Sequence, residues 1–206
     1  MVCSLKDINE LILSDKTICN FKDNIQKQYQ KQILIRDIRE NSNPKVKNLI
    51  GTNNFENDKI IIDLNISFLS KGDDNVILYV FVHEVLHAVF DLQGYPITRN
   101  HKSFASDLTI SKIGTSLCDS ILHIRIHQII KMNNICNIPQ KMPSEKEALY
   151  KKLEQYKINF SKEEFDNLFS QIYANNNISA SDARKYLEQL IEICNMQQKI
   201  YIITRT

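Results

Sequence analysis

Asn75-Val76-Ile77-Leu78-Tyr79-Val80-Phe81-Val82-His83-Glu84-Val85-Leu86-His87-Ala88-Val89-Phe90-Asp91-Leu92 decides how this chain is read. It is an apolar run interrupted by one His-Glu-x-x-His pentapeptide. Asp73 and Asp74 stand where an N-cap and a first-turn acid belong, and Gly94 and Pro96 follow as a C-cap and a stop. The stretch is therefore predicted as one helix of about five turns. Residues four apart on a helix lie one above the other, so His83 and His87 can offer two imidazole nitrogens to one ion. Glu84 follows the first histidine directly, where a carboxylate reaches a water on that ion without ligating the ion itself. Two histidines and a glutamate in so apolar a helix are costly to bury unless paired or liganded, which favours a metal site over incidental polar residues.

In this setting His83, Glu84 and His87 resemble the motif of the zincin superfamily of zinc metallopeptidases, over roughly residues 55–131. The resemblance implies an active-site helix beside a small antiparallel sheet and one Zn2+ per chain. His83 and His87 would be ligands, and Glu84 the general base that activates a zinc-bound water for peptide-bond hydrolysis. The chain departs from two subfamilies. Phe90 and Gln93 stand where the metzincin extension needs glycine and a further histidine, and no Glu-bearing helix of the thermolysin type follows. What is implied is a small, divergent, intracellular zincin.

The third ligand has to be sought elsewhere in the chain, since a catalytic zinc takes three protein ligands and keeps one position open. The best neighbourhood is residues 115–127, where Asp119, His123 and His127 are spaced by four and form one helical stripe. Ile113, Leu117, Ile121, Ile124 and Ile129 supply apolar surface around it. His123 is the preferred metal ligand, with Asp119 placed to accept its other ring proton. Asp119 as the metal ligand is the close alternative, because zincins with an aspartate ligand exist and Gly114-Thr115 precedes it. His127 is assigned to the substrate carbonyl, as a catalytic group stabilising the developing oxyanion. Leu122 to His127 also alternates like a strand, but the longer 3.6-residue pattern upstream favours helix. Asp91, His101 and Cys118 are lesser candidate ligands. Tyr95, in a predicted polar loop over 95–102, could donate its phenol to substrate.

Composition bounds the rest. The chain has 206 residues, 43% hydrophobic and 24% charged, with a formal charge of +2. These are the proportions of an ordinary globular protein, and the charge predicts no partner among nucleic acids or anionic membranes. Five cysteines (3, 19, 118, 136 and 194), odd in number and without a C-x-x-C pair, read as reduced thiols. The start lacks a signal-peptide core, and no apolar run is long enough to predict a membrane span. The expected location is cytoplasmic.

The fold class expected is α+β: a mostly helical zincin-like domain with a small antiparallel sheet and a C-terminal helical extension. Domain boundaries are set at 1–132 for the metallopeptidase domain, 133–143 for a linker and 144–206 for the extension. Residues 4 to about 30 read as helix and Gln32–Ile38 as a strand. Leu49–Thr52 and Lys59–Leu64 read as a β pair around a polar turn over 53–58. Asp63 to Phe68 would line the approach of an extended protein or peptide substrate along the sheet edge. Ser144 with Glu147, and Ser161 with Glu164, announce two helices. A third is capped by Ser179 or Ser181, and the tail Ile200–Ile203 reads as a strand. The stripes of these helices are core faces, with docking of a partner protein as the other use. Two further classes stay open: a protein whose zinc is only structural, and a vestigial zincin acting as a regulatory partner.

Overall fold

A computed structural model describes residues 4–140 and 143–204. Cys3 and two residues of the expected linker, Lys141 and Met142, lie outside the described residues. The fold is α+β and mostly helical, and contacts divide it into two compact units. The first comprises Met1–Val89 and Ile129–Gln140, the second Phe90–Gln128 and Lys141–Thr206.

The first unit opens with α1 (Leu5–Ser14) and α2 (Lys16–Tyr29) where one helix was expected. Asp15 breaks the run: its backbone is extended, and its carboxylate caps α2 by accepting from the N–H groups of Thr17 and Ile18 at 2.9 and 3.0 Å. Next come β1 (Gln32–Asp37), β2 (Gly51–Glu56), β3 (Lys59–Leu64) and the short α3 (Ile66–Leu69). The expected polar turn over 53–58 is in fact mostly strand. Asn53 to Glu56 pair with β3, and only Asn57 and Asp58 turn, Asn57 at a φ of 57° that asparagine tolerates.

The sheet order is β1-β3-β2, with β3 antiparallel to β2 but parallel to β1, so the sheet is mixed and not antiparallel throughout. Central position explains β3's sequence, because a strand covered on both faces reads as an unbroken apolar run, here Ile60-Ile61-Ile62. Asp63 lines no approach. It is fully buried opposite Arg36 of β1, which grips it through Nε (2.5 Å) and Nη2 (3.0 Å) while Asn41 donates to it at 2.6 Å. Arg36 also reaches Glu56 of β2 at 3.0 Å, and the two carboxylates hold its guanidinium well above its ordinary pKa.

From this sheet the chain enters α4 (Asp74–Leu92), which carries the motif. Asp73 caps it, accepting from Val76 N–H at 2.9 Å. Its far end is closed by Gly94 at φ 71°, where Gly94 and Tyr95 N–H donate back to Asp91 and Phe90. The Phe90 and Tyr95 rings stack across this cap at 4.5 Å. By length and composition α4 could cross a membrane, and 56% of its most apolar window is buried, as in a core helix.

In the second unit, residues expected as loop form β4 (Pro96–Asn100), paired antiparallel with β5 (Ile200–Thr204), the strand expected at the tail. A short, mostly polar strand has no local signature, and its partner comes from the end of the chain. Between them runs α5 (Leu108–Met132), so residues 122–127 are helical. Gly114 lets α5 approach closely: a Cβ there would fall 2.8 Å from Thr98 Oγ1 and 3.4 Å from Ile200 Cδ1. Three capped helices follow: α6 (Glu145–Gln155), α7 (Lys162–Ala174) and α8 (Ala180–Ile193). Ser144, Ser161 and Ser179 accept from the third helical N–H of each. Leu149, Leu153, Phe165, Leu168, Phe169, Ile172, Leu187, Leu190 and Ile191 are core.

Candidate metal centre

Helix α4 stacks Tyr79, His83 and His87 on one stripe, a turn apart. The Nε2 atoms of His83 and His87 lie 3.1 Å apart and their rings 4.7 Å apart at 69°. His123 of α5 joins them, with one ring nitrogen of each histidine within 4.8 Å of the others. All three side chains are only partly buried. Two nitrogens each about 2.0–2.1 Å from a tetrahedral ion would lie roughly 3.3 Å apart, so the His83–His87 spacing fits a shared ion. Burial drives the His123 imidazole down to about 4; Glu145 pulls it up and His127 pushes it further down. His123 is thus neutral at pH 7, the state that gives a lone pair to a metal. Three imidazoles suit zinc and also copper, iron or nickel.

Glu84 is placed by the sheet. Gly51 opens the edge strand β2, and a Cβ on it would fall 3.0 Å from both Glu84 Cγ and Val80 Cγ1, and 3.3 Å from Glu84 Oε1. The missing side chain is therefore what lets β2 and the middle of α4 meet. The Glu84 carboxylate flanks the start of an edge strand and sits next in sequence to a histidine of the cluster.

His127, one turn beyond His123, holds Glu145 through Nδ1 at 3.1 Å, and both side chains are largely buried. Burial alone would raise the Glu145 carboxyl, but the hydrogen bond and charge of His127 hold it below its usual range. Asp119 is not part of the three-histidine group; burial pushes its carboxyl up to about 6. Asp91 lies one turn past His87 on α4 and is also outside the group. His101 stands at the end of β4, its Nε2 3.1 Å from the Gln197 carbonyl and its ring 5.2 Å from Tyr201. Cys118 is buried, with Sγ 3.2 Å from the Pro96 carbonyl. Tyr95 offers nothing to a substrate: it is 5% exposed, and its hydroxyl donates to the Ile178 carbonyl at 2.5 Å.

Three residues of this region have no place in the reading from sequence: Tyr79, Gly51 and Glu145. Tyr79 precedes His83 by the same four residues that separate His83 from His87, so its stripe was visible. Gly51 and Glu145 carry no such signal, because their roles depend on how separate segments pack. No protein-family model, no curated protein and no solved structure matches this chain.

Proposed function

We propose that the chain is a metal-dependent peptidase of the zincin kind, with zinc held by His83, His87 and His123 and peptide bonds as substrate. The observation that carries this reading is the meeting of three imidazoles with Glu84 next in sequence to one of them. Three histidines among the described residues could hold an ion, and three protein ligands with one further position is the arrangement of catalytic zinc sites. When bound, such an ion supplies a Lewis acid that polarises a carbonyl and acidifies water at neutral pH.

The remaining work falls to the chain. Glu84 takes the proton from the attacking water and returns it to the leaving amine. The substrate lies extended along β2, which among the described residues pairs with β3 on one side only, so its carbonyl is presented beside Glu84. His127, fixed through Nδ1 by Glu145, donates to the oxyanion as it develops. The test is cleavage of a quenched-fluorescent peptide mixture by zinc-loaded protein beside Glu84→Gln. The expected result is turnover in wild type that falls about 10²–10⁴-fold in the variant, with its metal content unchanged. Equal turnover in both would remove Glu84 from the mechanism. No turnover in wild type across a diverse mixture would count against a peptidase.

A further inference from the structure

We infer that Tyr79 is the positioning residue that sets which nitrogen of His83 faces the metal. This rests on the metal reading above. The Tyr79 hydroxyl lies 3.3 Å from His83 Nδ1, its ring is tilted at 5.5 Å from the imidazole, and the residue is 2% exposed. On the other side of the same ring, His83 Nε2 lies 3.1 Å from His87 Nε2. Two imidazole nitrogens that close cannot face each other as bare lone pairs, so a proton sits between them when no metal does.

A neutral imidazole carries one proton, so these contacts at its two nitrogens depend on one another. If Nε2 holds the proton and donates to His87, Nδ1 is an acceptor and the Tyr79 hydroxyl donates to it. If a metal takes the Nε2 lone pair, the proton must reside on Nδ1, and Tyr79 oxygen accepts it. A phenol can do either by rotating its hydroxyl, whereas a carboxylate or a carbonyl can only accept. Tyr79 thus gives a hydrogen bond to both forms of His83. It keeps the ring aimed along α4 in each, and it pins the proton on Nδ1 once metal is bound. Partners of this kind on the far nitrogen of a ligating histidine are typically worth about 10- to 100-fold in metal affinity.

The experiment compares Zn2+ affinity of wild type and Tyr79→Phe by competition with a chromophoric chelator. Urea midpoints of both metal-free proteins are measured alongside. The expected result is an affinity about 10- to 100-fold lower in the variant, with a loss that persists where both proteins are fully folded. Long-range 1H–15N spectra of zinc-loaded wild type add a readout that needs no variant. They should show His83 protonated at Nδ1, with slowed exchange. Equal zinc affinity in the two proteins, or metal on Nδ1 of His83, overturns the inference while leaving the metal site standing. Wild type that takes up no zinc overturns the reading beneath it, and the inference with it.

Discussion

At the scale of single residues, the site is a contest between burial and charge. His123 is kept neutral by burial, which makes it a competent ligand, and the same burial keeps Asp119 protonated up to about pH 6. The second effect has a cost in the metal-free protein. The Asp119 carboxyl has an ordinary value of 3.8, so below about pH 3 it is protonated whether the chain is folded or not. Between there and about pH 6 the folded state keeps a proton that the unfolded state has lost, so stability falls as pH rises. Above that range the cost is complete, at up to about 3 kcal/mol. Asp119→Asn should therefore leave stability unchanged at about pH 3 and raise it above about pH 6, as read from urea midpoints of metal-free protein. Parallel profiles for the two proteins would contradict this. The sequence showed His83, Glu84 and His87 because a helical period places them, and it ranked His123 ahead of Asp119 because His123 is central on their stripe, with Asp119 one turn earlier to accept its other ring proton. It could not show that His127 meets Glu145, since spacing within one helix carries no information about what packs against it.

Elements were legible where both ends carried chemistry. Helix α4 begins at the aspartate cap and ends at the glycine expected of it, and α6 and α7 start at their serines. Strand β3 was visible through its isoleucines, because a central strand needs apolar residues on both faces. Strand β4 was not: its residues are mostly polar, and what makes them a strand is β5. The same limit applies to Asp63, which looked like a residue of the substrate approach and is a buried ion pair across the β1–β3 ladder. The end of α4 gives an element-scale prediction. Gly94 sits in left-handed backbone, and a Cβ on it would also come within 3.2 Å of Thr204 Cγ2. Gly94→Ala should lower stability by about 1–2 kcal/mol, seen as a lower urea midpoint with an unchanged slope. An unchanged midpoint would mean that this cap does not hold the turn into β4.

Across the whole molecule, the two longest helices carry the three histidines that could hold a metal ion. Helix α4 carries His83 and His87 of the three-histidine group, and α5 carries His123. A small α+β chain thereby brings ligands from distant parts of its sequence together without a dedicated metal-binding loop. The sequence gives no direct measure of that convergence, which depends on the path of the chain between residues 92 and 108 through β4. If His83, His87 and His123 hold one ion, removing either His83 or His123 must release it. The direct measurement is metal content by elemental mass spectrometry of purified wild type, His83→Ala, His123→Ala and Asp119→Ala. About one zinc per chain is expected in wild type and in Asp119→Ala, with loss of the metal in both histidine variants. Wild type that holds no metal after supplementation, or His123→Ala that holds as much as wild type, would contradict it.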